Sequence, residues 1–218
     1  MRRVGRQRRL LPAAALALAM MGPGAALGQP AEPPVEASSL PLIRFPDDPP
    51  LPGQALIVDD MDDPSRWTAH PADGVALTLG RDAGARDGSL RLDFRFAGGG
   101  WAIARRTLDL ELPDNWAFTL RVRGAAPPEH LEFKLIDQTG ENVWWHVKRD
   151  FAFPDEWRTV TIRKRQVSFA WGPAGGGEPR RVAAIELAIT AGSGGQGTVW
   201  FDDLELRALP PAGAAPPV

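Results

Sequence analysis

The 218-residue chain contains no cysteine and no tyrosine. Without a thiol there is no disulfide and no lipid attachment at a cleavage-site cysteine, so cohesion has to come from a packed core, with or without a metal ion. The missing tyrosine rules out a tyrosine-based lyase. Only three histidines are present, His70, His130 and His146, and they fall at no zinc-ligand spacing; no G-x-S-x-G marks a hydrolase nucleophile. Charge of one sign is also scarce: 25 basic and 27 acidic residues leave a net charge of −2. Such a chain has no strong field with which to gather a nucleic acid. Long runs of helical period are absent, and the single sustained apolar run is shorter than the roughly 20 residues a membrane span needs.

That apolar run belongs to the start of the chain. Arg2, Arg3, Arg6, Arg8 and Arg9 precede it, Leu10 and Met21 bound it, and Ala26-Leu27-Gly28 follows as a small-x-small cleavage site. Residues 1–28 therefore read as an export signal of the general or the twin-arginine type, which implies a periplasmic or extracellular protein. Residues 29–53 are rich in proline, among them Pro30, Pro33, Pro34, Pro41, Pro46, Pro49, Pro50 and Pro52, and read as an extended arm. Residues 209–218 are a proline and alanine tail. What remains, 54–208, is the right size for one domain with one core.

Within it, short apolar or alternating runs alternate with turn signals, as in an all-β sandwich. The expected strands are 55–59, 76–79, 89–96, 102–108, 117–123, 131–137, 142–148, 158–162, 181–189 and 198–206. The glycine-rich runs AGGGW, GPAGGGEP and AGSGGQG follow no strand that opens a helix, so they read as loops between strands and not as phosphate-binding turns. Arg163, Lys164 and Arg165 read as a solvated strand end.

The most informative stretch is LEFKLIDQTGENVWWHVKRDF, a hairpin turning at Gly140. Alternation assigns Leu131, Phe133 and Leu135, with Val143, Trp145 and Val147, to the core face. Glu132 and Lys134, with Trp144, His146 and Lys148, are left for the other face. A flat ring among hydrogen-bonding groups suits a ligand with an apolar face and a polar rim, as a sugar has. Of eight tryptophans, Trp67, Trp116 and Trp157 read as plugs at strand starts. Trp144 reads as an exposed platform, Trp101 and Trp171 as rings on glycine-rich loops, and Trp200 is undecided.

Taken in order, VDDMDDPSRW, RDGSLRLDF, LEFKLIDQTGENVWWHV, FPDEWRTVTI and GTVWFDDLEL resemble the galactose-binding-like β-jelly-roll domains. They are most similar to family 11-like carbohydrate-binding modules and to the front domains of secreted bacterial discoidin-type proteins. The resemblance implies a β-sandwich jelly roll that binds a polysaccharide or oligosaccharide on one sheet face through Trp144, His146, Lys148, Glu132, Lys134, Trp101 and Trp171. It also implies a structural calcium between the first and last strands, with Asp62, Asp87 and Asp202 as ligands and Met61 in the place of an aromatic residue; calcium takes oxygen donors from distant segments. Lys134, Lys148 and Arg149 would suit an acidic polysaccharide. Two other readings stay open. A jelly-roll glycosidase or lyase needs two carboxyls about 5 to 10 Å apart, which Asp137, Glu141, Asp150, Glu132 or Glu186 could supply. An assembly role beside a partner protein or enzyme would use the proline-rich arm.

Overall fold

The structure is a computed structural model, and it describes residues 53–211. The expected leader, nearly all of the expected arm and most of the expected tail lie outside the described residues. Twelve strands follow one another: β1 (Ala55–Asp59), β2 (Trp67–Pro71), β3 (Val75–Ala83), β4 (Gly88–Phe96), β5 (Trp101–Glu111), β6 (Trp116–Ala125), β7 (Glu129–Ile136), β8 (Val143–Phe151), β9 (Arg158–Arg163), β10 (Ser168–Trp171), β11 (Arg181–Thr190) and β12 (Gly195–Ala208). All ten expected strands are present, with ends shifted by a few residues. β2 and β10 are additions, too short and too polar to announce themselves by alternation.

Two antiparallel sheets result. In the first the order is β3-β4-β12-β6-β9, with β1 joining β12 beyond the end of β4; in the second it is β10-β8-β7-β11-β5-β2. Strand β12 is long enough to take both β1 and β4 on one edge. Its register shifts between Asp202 and Glu205, where Asp203 adopts a φ of 48°, a left-handed conformation that aspartate tolerates better than most residues.

The period of two places every second residue between the sheets. Leu90, Leu92, Phe118, Leu120, Val122, Phe201 and Leu206 of the first sheet meet Leu131, Phe133, Leu135, Ile185, Leu187 and Ile189 of the second. Phe118 and Phe133 bridge the layers with centroids 5.0 Å apart. Trp116 and Trp67 are buried as the expected plugs, and Met61 closes the same core with no exposure at all. Beside it, Asp59 of β1 pairs with Arg106 of β5 at 2.6 Å, tying one sheet to the other across a nearly sealed contact. The third expected plug, Trp157, is only half-buried. Its ring lies 5.2 Å from the Arg123 guanidinium, and Trp200 lies 4.3 Å from the same group on the outward side of the first sheet.

Candidate functional site

The turn that joins β7 to β8 decides which side chains face out. Asp137 Oδ1 accepts from the Thr139 hydroxyl at 2.6 Å and from the Thr139 backbone at 3.1 Å, its Oδ2 accepts from Asn142 Nδ2 at 2.7 Å, and Gly140 supplies the positive φ of 77°. Asp137 is thus a turn organiser of a kind common for this residue. The turn pairs Ile136 with Val143, so each odd-numbered residue of β7 faces an even-numbered one of β8: Leu135 with Trp144, Phe133 with His146, Leu131 with Lys148.

That register corrects the sequence-based face assignment for the second strand. Leu131, Phe133 and Leu135 do belong to the core, but Trp144, His146 and Lys148 share their side. Trp144 is 6% exposed, lies edge-on to Phe169 at 5.5 Å, and donates its Nε1–H to the Gly177 carbonyl at 2.8 Å. It is a core residue that fastens the glycine-rich loop, and not an exposed platform. Trp145, expected inside, stands half-buried on the outward face.

His146 is also an inward residue. Its Nδ1–H donates to the Gln166 carbonyl at 3.0 Å, while Nε2 is buried without a partner. Burial pushes the imidazole below its ordinary value of 6.5, an effect that the Gln166 contact opposes and Lys148 reinforces. The unfolded chain therefore binds this proton more readily than the folded one, and stability falls as pH drops through 6.5 towards the folded value. Denaturant midpoints at about pH 7.5 and about pH 5.5 should differ less in His146→Gln than in the parent; an equal difference would mean that His146 is freely solvated.

The outward face of the second sheet reads as a grid of cross-strand neighbours. One row runs Thr68, Arg105, Glu186, Lys134, Trp145, Ser168 from β2 to β10; the row on one side holds His70, Ile103, Ala188, Glu132 and Val147. On the other side Ile136, Val143 and Ala184 form a small apolar cluster with Ala170, separate from the main core. At a strand spacing of about 4.8 Å, six strands span roughly 24 Å. The expected Glu132 and Lys134 do lie here. Lys134 Nζ is 3.0 Å from Glu132 and 3.9 Å from Glu186, and Arg105 Nη2 is 2.6 Å from Glu186. Exposures of 5 to 6% for the two glutamates and the lysine show how tightly these side chains lie together.

Aromatic rings border this charged quartet. Trp171, exposed as expected at 47%, meets Trp145 edge to face at 5.6 Å and stands 5.7 Å from Lys134 Nζ. Trp101, 48% exposed, begins β5 in register with Thr190. Sequence reasoning missed Arg105 as a site residue and considered Glu186 only as a catalytic acid. Both are charged residues at outward positions, but β5 also carries Arg106, Asp109 and Glu111, so only the pairing of β5 with β11 singles them out.

This architecture matches known structures. A family 11 carbohydrate-binding module of a cellulosomal cellulase of Clostridium thermocellum superposes with a TM-score of 0.57 and 14% identity, over 73% of this chain and 98% of that one. A family 11 module from the same organism, in complex with a β-1,3-1,4-mixed-linked tetrasaccharide, gives 0.61 and 12%, over 71% and 96%. The chain has the jelly-roll fold of these modules. No protein-family model matches the sequence, and no curated protein does; at such identities the likeness is one of fold.

The residues expected to hold calcium meet at the turn between β3 and β4. Asp62 Oδ1 accepts from the Gly88 amide and lies 3.3 Å from Arg81, and Asp202 Oδ2 accepts from the Ala85 amide at 2.6 Å. Asp87 sits within the turn, where its carbonyl accepts from Gly84 at 3.0 Å. A Cβ at Gly84 would stand 2.8 Å from Asp202 Oδ2, so only glycine lets the turn approach so closely. Among the described residues no three acidic or histidine side chains are grouped to hold an ion by themselves. The oxygens of Asp62 and Asp202 that face this turn accept from backbone amides and from Arg81.

Proposed function

We propose that the chain is an exported, non-catalytic carbohydrate-binding module, working in the periplasm or outside the cell, that grips a neutral polysaccharide across the outward face of the second sheet. The observation that carries this reading is the Trp145–Trp171 pair beside a charge-balanced quartet. Sugars present C–H groups on a ring face and hydroxyls at the edge, so they need an apolar shelf flanked by donors and acceptors. The two indoles offer the shelf, and Arg105, the one well-exposed member of the quartet, offers donors at its edge while Glu186 holds it in place. Two acids against two bases leave no excess charge to select an acidic polymer, and Lys148, which would have added one, faces inward. Glu132 and Glu186 are nearly buried and ion-paired with Lys134 and Arg105, unlike the open carboxyl pair with which a glycosidase meets its substrate and water. The test is affinity electrophoresis in gels carrying a mixed-linked β-1,3-1,4-glucan, the linkage held by the Clostridium thermocellum module, against gels carrying polygalacturonate. Retardation by the glucan alone is expected; retardation only by the acidic polymer, or release of reducing ends, would overturn the reading.

The proposal includes a structural calcium held by Asp62, Asp202 and carbonyl oxygens of the turn that contains Asp87, which would join the first strand's end to the last strand. An ion bound only by the folded state stabilises by about 2.7 kcal/mol at a hundredfold excess over its Kd. Chelation should therefore lower Tm by about 5 °C or more. An unchanged melting curve together with no calcium by elemental analysis would remove the ion from the proposal.

A further inference from the structure

A cavity of about 740 Å³ lies away from the outward face. It is bordered by Val122 of β6, the end of β8 with the segment that follows it, and β9. Val122 and Val160 form one wall, and Phe151, Phe153 and Pro154 the other. The volume falls in the range of about 300 to 1,000 Å³ typical of small-molecule sites. The aromatic wall is firmly held. Phe151 and Phe153 meet edge to face at 5.1 Å, the Gly124 amide donates to the Pro154 carbonyl at 2.7 Å, and a Cβ at Gly124 would stand 2.8 Å from Phe153. Phe153 thus rests on a position that only glycine can occupy.

Two cations also line this cleft. Lys148 occupies an inward position of β8, opposite Leu131, where the alternation calls for an apolar side chain; it is half-buried. Neither its amine nor the Arg158 guanidinium enters an ion pair or hydrogen bond among the described residues. Asp155 is the single acid on the rim, so the lining carries one net positive charge. Lys148 is half-buried and Arg158 exposed, so an anion reaching both would make charge-assisted hydrogen bonds that neither cation makes within the protein.

We propose that this cleft is a second binding site, separate from the glycan face, for a small amphipathic carboxylate: an aromatic body against Phe151, Phe153 and Val160, and a carboxylate on Lys148 and Arg158. The inference does not depend on the polysaccharide reading, since it uses a different cavity and no residue of the outward face. Its recognition logic is an edge-to-face ring contact in an apolar slot together with a charge-assisted hydrogen bond at the entrance.

The experiment titrates the purified protein with 4-phenylbutyrate and with its uncharged amide, following backbone amide signals by NMR. Phenylbutyrate should move the signals of residues 148–161 saturably, and the amide should bind at least about tenfold more weakly, the loss of one charge-assisted contact. Lys148→Met should shrink that difference and Lys148→Met with Arg158→Gln should erase it, and Ala152→Trp, a change at an exposed lining position, should block both compounds by filling the slot. Equal affinity for acid and amide, indifference to these substitutions, or shifts confined to the Trp145–Trp171 face would each overturn the proposal. Concentration-dependent shifts of the same signals without any ligand would also overturn it, because they would assign the cleft to a second copy of the chain.

Discussion

Replacing Trp145 and Trp171 together with alanine should abolish retardation by the mixed-linked glucan, while Tm stays within a few degrees of the parent value. Trp171 leaves nearly half of its surface open, about 100 Å², and a sugar that covers most of it gains roughly 2 kcal/mol at about 25 cal/mol per Å²; the half-buried Trp145 adds less. That is about thirtyfold in affinity for Trp171, and the double substitution should cost about a hundredfold. The charged quartet alone would then have to hold the glycan in competition with water, at the net value of about 1 kcal/mol or so per hydrogen bond. Stability should be spared because Trp171 is half exposed and Trp145 lies outside the main core. Trp171→Ala alone should weaken binding by about thirtyfold on the same arithmetic. A double variant retarded like the parent would show that the outward face is not where sugar binds.

The opposite separation is expected for the adjacent residue. Trp144→Ala should lose about 3 to 5 kcal/mol of stability, the usual cost of emptying an aromatic site in a core. At 2 to 4 °C per kcal/mol for a domain of this size, Tm should fall on the order of 10 °C. Two further effects act in the same direction. The Gly177 carbonyl loses its donor, and Phe169 loses the ring that holds β10 against β8. Trp144→Phe keeps an aromatic body and gives up the hydrogen bond, so it should recover most of the loss. Glycan binding should weaken in the alanine variant as well, because β10 carries Trp171. A variant that melts like the parent but no longer binds would mean that the Trp144 ring faces the ligand after all.

These two neighbours show where sequence reasoning succeeds and where it fails. The sandwich was legible because ten strands carry clear alternation between turn residues, and because leucine, phenylalanine and β-branched residues fill inward positions from Leu90 to Leu206. The two missed strands are edges, and β2 contains a histidine and a proline that blur any pattern. The faces of β8 were harder. In the middle of a sheet the outward face also becomes apolar, so Val143 and Val147 sit outside while His146 and Lys148 sit inside, and alternation alone gives the wrong parity. Register came instead from the six residues 137–142, whose even number sends odd positions opposite even ones. A one-residue difference in register exchanges every side chain between faces. Trp101 and Trp171 were legible because glycine-rich neighbours leave a large ring nothing to pack under. Arg105 and Glu186 were not, since their meaning depends on β5 and β11 lying side by side, which no local pattern reveals.

Strand β10 is four residues long and hydrogen-bonds to β8 alone. Half of the indole pair therefore rides on the least anchored border of the sheet, next to a connection built from three successive glycines. A polymer lying across both rings would clasp that border to its neighbour, so occupancy of the surface also stiffens the scaffold that presents it.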